Sequence, residues 1–338
     1  MKHLWLAFCA LFLCFSCAKD APRTGWKYAQ LLPHSTEAAD CGKLSYTVGE
    51  TTLYDSENSP IDYKILSAGS VHAALLYELG AADLVVGVCD AGYVVDSALR
   101  RALLDGRLAD FGNMLSPDRE RMVEAGVNLI LAPQVEGVDL GQLSSLGIPF
   151  VACADYMEAT PLGRAEWMRY YGRLVGHGAQ ADSLFQSVEE SYLNLCREGK
   201  ARRKHPLRLL TDLPQGGTWL QPAGGSYLAA LYADAGLLQC CRTGRGAGSV
   251  ALSVEQVVAQ AADADVWLIK YASPHDLTYT ELLRQCPVAE RIKAYRERKV
   301  WGCNTLCTPY YEQVPFHPDR LLDDLIHYAG HYFVPLGK

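Results

Sequence analysis

Apolar and polar positions follow two periods along the chain. Short apolar runs bounded by turn residues, "DYKILSAG", "LVVGVCD", "NLILAP" and "IPFVACA", read as buried strands. Between them "SVHAALLYELG", the stretch Arg121 to Ala125 and "LGQLSSLG" carry helical spacing. Strands alternating with short helices predict a parallel sheet covered by helices on its faces. Ahead of them, "KLSYTVGETTLYDS" alternates as a strand or hairpin does. The pattern changes at Thr160-Pro161, a helix start with Thr as cap and Pro in the first position. Helical periodicity then runs without proline to Pro206, and Gly172, Gly176 and Gly178 mark a kink or short break. Beyond Pro206 the first pattern restarts. "PLRLLTDL", "ADVWLIK" and "KVWGCN" are strands, "GGSYLAALYADAGL" and "SVEQVVAQA" are helices, and "HPDRLLDDLIHYAGHYF" is a closing helix. The expected fold class is therefore α/β: two lobes, each a mainly parallel sheet flanked by helices, joined by one long backbone helix. The lobes span residues 60–159 and 204–338, the backbone helix 160–203, and an N-terminal extension with the hairpin 18–59.

Composition narrows the function classes. The 338 residues are 49% hydrophobic and 20% charged, with a net charge of −7, which is ordinary for a globular chain of this length. No basic face is visible, so nucleic acid is set aside as a partner. "MKHLWLAFCALFLCFSCAKD" opens the chain with Lys2, then an apolar run from Leu4 to Phe15 too short to remain as a membrane span. Its end, Ser16-Cys17, resembles a bacterial lipoprotein signal, although Cys14-Phe15 stands where Leu and a small residue are usual. The resemblance implies that residues 1–17 are a signal with Cys17 as the acylated residue; the alternative is an ordinary signal peptide. Either way the protein is exported, and a lipid-anchored, periplasmic monomer is expected. Of 12 cysteines, nine remain once Cys9, Cys14 and Cys17 are accounted for, so at least one thiol is free in an oxidising compartment. No CxxC pair occurs, which removes zinc-ribbon spacing.

The layout resembles the periplasmic substrate-binding proteins of ABC importers, in the helical-backbone class that handles iron–siderophore complexes, haem and vitamin B12. "ILSAGSVHAALLYELGAADLVVGVCD" looks like that family's opening strand, helix and second strand. "DRERMVEAGVNLILA" resembles its "E.I..L.PDLVL" segment, with Val127-Asn128 in place of Pro-Asp, and "LSSLGIPFV" matches "L..LGIPVV". "GRAEWMRYYGRLVGHGAQADSLF" resembles the start of the backbone helix, and "LSVEQVVAQAADADVWLI" the second lobe's "S.E.V....PDVI". The match runs from about residue 60 to the end. It implies a ligand cleft between the lobes, a metal chelate as cargo, and an ABC permease and its ATPase as partners. It also implies that Glu120 and Glu255 dock with the permease, one from each lobe's tip. Read as residues alone, both are solvated glutamates favouring a helix N-terminus.

Candidate chemistry follows the aromatics. The chain holds 19 Tyr and 6 Trp against 8 Phe, so most of its rings carry a polar handle suited to planar or macrocyclic chelates. Tyr93, Tyr156, Tyr227, Tyr310 and Tyr311 fall at strand ends or loops, and "GGTWLQPAGGSY" adds Trp219 and Gln221 to Tyr227 as wall residues. Tyr271 sits among the same strand-end aromatics. His72 opens a helix after the first strand and is a candidate contact or outer ligand to a chelate. Gly224-Gly225-Ser226 opens another helix whose N–H groups suit an anion or carbonyl, with Arg242 and Arg245 in a nearby glycine-rich loop. The alternative to a receptor is an exported metal-binding protein or metalloenzyme using His72 or the segment holding Cys303, Cys307 and His317. Cys303 and Cys307 read better as a local disulfide or as free thiols, with Glu312 a polar anchor beside the two tyrosines. No acid, base and nucleophile assemble. The expected protein is not an enzyme, has no resident metal and needs no cofactor beyond its cargo: an iron chelate, haem or corrinoid.

Overall fold

A computed structural model describes residues 26–32, 46–48, 51–54, 62–133, 147–202 and 205–337. Cys17, Cys41 and the helix expected at "LGQLSSLG" lie outside the described residues, Gly147 apart. The expected hairpin is β1 (Tyr46–Val48) paired antiparallel with β2 (Thr51–Tyr54). The first lobe's sheet is built from β3 (Ile65–Ser67), β4 (Val85–Val88), β5 (Ala109–Asp110), β6 (Leu129–Pro133) and β7 (Phe150–Cys153). They lie in the order β5-β4-β3-β6-β7, every neighbouring pair parallel. The second lobe contributes β8 (Leu207–Thr211), β9 (Thr218–Pro222), β10 (Leu237–Gln239), β11 (Ser249–Ser253), β12 (Val266–Tyr271), β13 (Val300–Asn304) and β14 (Val334–Pro335). Its sheet runs β10-β8-β12-β13-β14, parallel except for β14, while β9 and β11 form a separate antiparallel pair.

Residue parity explains why both sheets are covered on two faces. Ile65, Leu129 and Leu131 enter one core of the first lobe, while Leu66, Ile130 and Ala132 enter the other. In the second lobe Leu209, Val266 and Leu268 face one core, and Leu210, Trp267 and Ile269 the opposite one. Successive side chains of a strand point to opposite faces, so an unbroken apolar run requires burial on both.

The helices are α1 (Ser70–Glu78), α2 (Ser97–Leu104), α3 (Arg119–Glu124), α4 (Pro161–Leu174), α5 (Gly178–Arg202), α6 (Tyr227–Asp234), α7 (Val254–Ala261), α8 (Tyr279–Gln285), α9 (Lys293–Arg296), α10 (Tyr310–Gln313) and α11 (Pro318–His327). The single backbone helix expected over 160–203 is in fact two, α4 and α5, folded back on each other. Thr160 caps α4 through Gly163 N–H at 3.0 Å. Gly176, at φ +77°, ends the turn that follows. Gly172 is required by the close crossing, because a Cβ there would stand 2.3 Å from the Ala181 Cβ. Asp182 then takes Arg169 at 2.7 Å and Arg173 at 2.8 Å across the hairpin. Helix α5 is the true spine: its 25 residues reach about 37 Å at 1.5 Å per residue. Ala181, Phe185 and Val188 belong to the first lobe's core, and Tyr192 and Cys196 to the second's. The closing helix is also shorter than expected, stopping at His327 with Tyr328 left-handed at its cap. Asp324 explains the stop, because its carboxylate accepts the backbone N–H groups of His331, Tyr332 and Phe333.

Two further connections tie the lobes. After β13 the chain places Tyr310 in the second core and Phe316 in the first. On the way Glu312 accepts the Val95 N–H at 2.9 Å, and His317 meets Glu78 at 2.8 Å. The segment Trp26–Leu32 is held by two buried carboxylates of the first lobe. Glu166 accepts the N–H groups of Lys27, Tyr28 and Ala29, and Glu158 those of Gln30 and Leu31. Arg169 and the Trp167 indole N–H complete their coordination, which makes the burial of both charges tolerable. Among the described residues no helix is long and apolar enough to cross a membrane.

Candidate functional site

In an open parallel sheet the crevice opens beyond the C-terminal strand ends where the strand order reverses. In the second lobe that point lies between β8 and β12, and a cavity of about 620 Å³ opens there. Two charged residues finish these otherwise apolar strands. The Lys270 ammonium lies 2.6 Å from Asp212 Oδ1 and 5.5 Å from the centre of the Tyr310 ring. Burial works against the Lys270 charge, but Asp212 and neighbouring phenols outweigh it and hold its pKa above the ordinary lysine value. Asp212 takes a left-handed backbone, φ +59°, which lets its N–H reach Leu268 O and its carbonyl accept the Trp267 indole. Around this pair the wall mixes amide and hydroxyl groups (Gln215, Ser273) with the exposed faces of Leu220 and Tyr311. Such a wall offers hydrogen bonds, a paired charge and apolar surface together, the chemistry of a site for a large amphipathic molecule.

The eight expected wall residues divide into two groups. Tyr93 and Tyr311 are exposed, at 78% and 59% of their surface, and Tyr156 and Tyr227 are half-buried, with the Arg164 guanidinium 4.7 Å from the Tyr227 ring centre. Tyr271 is half-buried and lines the cavity itself. The other four are sealed and present no face to a ligand. Trp219 is fully buried, gives its indole N–H to Thr211 O at 3.0 Å and packs on Trp267. Gln221 donates to the same carbonyl at 2.6 Å, and Tyr310 sits under Lys270 with its hydroxyl lacking a partner. These three support the wall from behind.

His72 is the most fully reassigned. It is 4% exposed, and its Nε2 meets Asp155 Oδ1 at 2.8 Å. The same carboxylate takes Arg164 Nε at 3.0 Å and the Tyr171 hydroxyl at 3.2 Å. Burial opposes protonation of His72, but Cys153 and Asp155 outweigh it and lift its pKa to about 10. His72 thus sits inside a buried cluster that favours its charged form, with Nε2 committed to Asp155 and Nδ1 without a hydrogen-bond partner. The expected anion cradle is also filled from within. Gly224 N–H donates to Thr243 O, Ser226 caps α6, and the Arg245 carbonyl crosses where a Gly225 side chain would stand.

The metal alternative finds no donor set. Cys303 is buried and Cys307 exposed, both as free thiols, and His317 is committed to Glu78. Among the described residues no group of three or more His, Cys, Asp or Glu side chains could hold a metal ion. Glu120 and Glu255 stand exposed in the first turns of α3 and α7. Those helices occupy matching places, each leading into the strand (β6 or β12) that pairs with the first strand of its lobe.

Comparison with known proteins matches this architecture. The family profile described as "Periplasmic binding protein" matches residues 65–305. A curated relative, an uncharacterized lipoprotein of Methanocaldococcus jannaschii, is 26% identical over 232 residues, covering 67% of this chain. The match spans only about half of that relative, 54% of its length. Among solved structures, the periplasmic haem-binding protein HutB of Vibrio cholerae aligns with a TM-score of 0.61 at 18% identity, over 79% of this chain and 99% of its own. The periplasmic vitamin B12-binding protein BtuF of the same organism aligns with a TM-score of 0.56 at 18% identity, over 79% and 99%. At these identities the likeness establishes a shared fold.

Proposed function

Because the chain belongs to the periplasmic binding protein family, we propose that it is the substrate-binding component of an ABC importer. In this reading it is exported, anchored in the envelope through an acylated Cys17, and delivers cargo to a membrane permease and its ATPase. The cargo is an iron chelate (siderophore or haem) or a corrinoid, held between the lobes. One observation carries the reading: the cavity at the second lobe's switch point, where Lys270, Asp212 and Tyr311 border a wall of mixed amide, hydroxyl and apolar surface. A chelate of this class presents an apolar ring or backbone together with carboxylate, amide or hydroxyl oxygens, and the wall answers both. The haem- and vitamin B12-binding relatives support the same class.

Delivery rests on Glu120 and Glu255, whose exposed carboxylates on corresponding helices form a two-point register for a cationic permease. The double reversal Glu120→Lys with Glu255→Lys is expected to cut import by about a hundredfold or more, since like-charge juxtaposition costs several kcal/mol. Cargo affinity of the purified variant should stay at the parent value. Uptake of labelled cargo in cells, set beside titration in solution, checks both halves. Import at the parent rate, or loss of binding in the folded variant, contradicts the assignment.

A further inference from the structure

A second cavity, of about 330 Å³, opens where α1 and α2 of the first lobe face α10 and α11. It shares no lining residue with the cavity at the second lobe's switch point. Tyr311 and Glu312 are neighbours in α10, yet Tyr311 borders that cavity and Glu312 this one. On the first lobe's side the wall includes the far half of α1, from Ala74 to Glu78. Helix α1 starts three residues after β3 ends, and Glu78 stands about 12 Å along it from that start at 1.5 Å per residue. The cavity therefore extends back along α1, away from the crevice at the strand ends.

The charges of its wall are unevenly matched. Glu78 meets His317 at 2.8 Å, and burial, which works against its charge, is outweighed by His317 and Arg320, which hold its pKa below the usual carboxylate value. Arg320 gives Nη1 to the Gln313 amide oxygen at 3.3 Å. Asp96 and Glu312 have no such cation among the described residues. Asp96 Oδ1 caps α2 through the Ala98 and Leu99 N–H groups at 2.9 and 3.1 Å. Glu312 is 4% exposed, with Oε1 on the Val95 N–H and Oε2 outside hydrogen-bond geometry to any protein donor. Burial and the Asp96 charge raise the Glu312 pKa, and the Val95 and Asp96 N–H groups and the Ser70 hydroxyl only partly offset them. A buried acceptor without a donor is costly, and one cation relieves both that cost and the repulsion. We propose that this cavity is a second binding site, for a small primary ammonium ion held by Glu312 and Asp96, with a short apolar chain against Leu75, Tyr77 and Phe316. A bare metal ion is poorly served, because no third His, Cys, Asp or Glu side chain joins these two among the described residues.

Calorimetric titration with butylammonium in an amine-free buffer tests the site, using protein prepared without residues 1–17 and free of any chelate. One equivalent should bind with a dissociation constant of about 1 mM or tighter. The Val95 amide resonance, the reporter beside Glu312, should shift as it binds. Glu312→Gln and Asp96→Asn remove the two charges but keep the acceptor for Val95 and the cap of α2. Both variants should melt close to the parent temperature, and each should weaken butylammonium by about tenfold. Valerate, with the same four-carbon chain on a carboxylate, should not bind. The site is overturned if the parent binds no butylammonium at about twenty times that concentration. It is equally overturned if either folded variant binds as tightly as the parent, or if valerate binds as well as butylammonium. No chelate is present, so the result is independent of the proposed cargo role.

Discussion

Asp155→Ala is expected to destabilise the protein by about 3–5 kcal/mol, the range for removing one partner of a buried ion pair. Asp155 is 1% exposed and serves His72, Arg164 and Tyr171 at once, so its loss strands two cations away from water. His72 belongs to α1, and Arg164 and Tyr171 to α4; Arg164 in turn meets Tyr227 of the second lobe. Against a typical stability of about 5–15 kcal/mol, this is a large fraction. Urea denaturation measures it directly. The charge dependence gives a sharper signature. His72 binds its proton more tightly in the folded state, so its contribution is complete below the ordinary histidine value near 6.5 and is lost as pH rises through about 10. Burial works against the Asp155 charge, but His72 and Arg164 hold its pKa well below the usual carboxylate range, so its contribution is present from about pH 4 upward and is lost only in strong acid. The parent should therefore lose stability between pH 6.5 and 10 more steeply than Asp155→Asn, in which His72 has no anion to favour its charge. Parallel curves for the two proteins would show that the cluster is not ionised as described.

Phe316→Ala is expected to cost about 3–5 kcal/mol, as for other buried phenylalanines reduced to alanine. The side chain is 1% exposed and its ring centre lies 6.1 Å from those of both His72 and Tyr171. Its segment leaves the second lobe at β13, yet its ring completes the first lobe's core, so it bolts one lobe to the other. The loss should appear as a lower denaturation midpoint. Phe316→Leu, which keeps most of the volume, should cost less than half as much. A change below about 1 kcal/mol in Phe316→Ala would mean that the bolt carries no load.

The strands were legible because buried parallel strands write themselves as short, dense apolar runs. "NLILAP" and "ADVWLIK" appear in the fold as β6 and β12, each within two residues of the quoted bounds at either end. The helix cap at Thr160-Pro161 was legible for the same local reason, since a cap needs only residues near in sequence. What escaped depends on partners far along the chain. Nothing in "VACADYM" distinguishes Asp155 from a loop aspartate until His72, 83 positions away, is brought to it. The glycines of "RYYGRLVGHGAQ" signalled a break, but only the Gly172–Ala181 contact turns a break into a hairpin. In sequence, Trp219 and Gln221 read as wall groups, a polar aromatic and an amide near a glycine-rich turn. They are buried because the Thr211 carbonyl, at the end of a parallel strand, needs the donors they supply. Lys270 and Asp212 carry a sequence signal of their own: each is a charge closing an apolar strand run, "VWLIK" and "LRLLTD", where a switch-point crevice opens. The cluster of Cys303, Cys307, Glu312 and His317, suggestive of metal in one dimension, is distributed in three over a strand, an exposed turn and two contacts between the lobes.

The most direct test of the proposed receptor role is titration of the purified protein, prepared without residues 1–17, with haem, cyanocobalamin and a ferric siderophore in turn, followed by isothermal calorimetry and absorbance. One of these should bind with a single equivalent and a dissociation constant in the micromolar range or tighter, corresponding to about −8 kcal/mol or below. Absence of binding by all three at 100-fold excess over that range, in protein shown to be folded, would contradict the account.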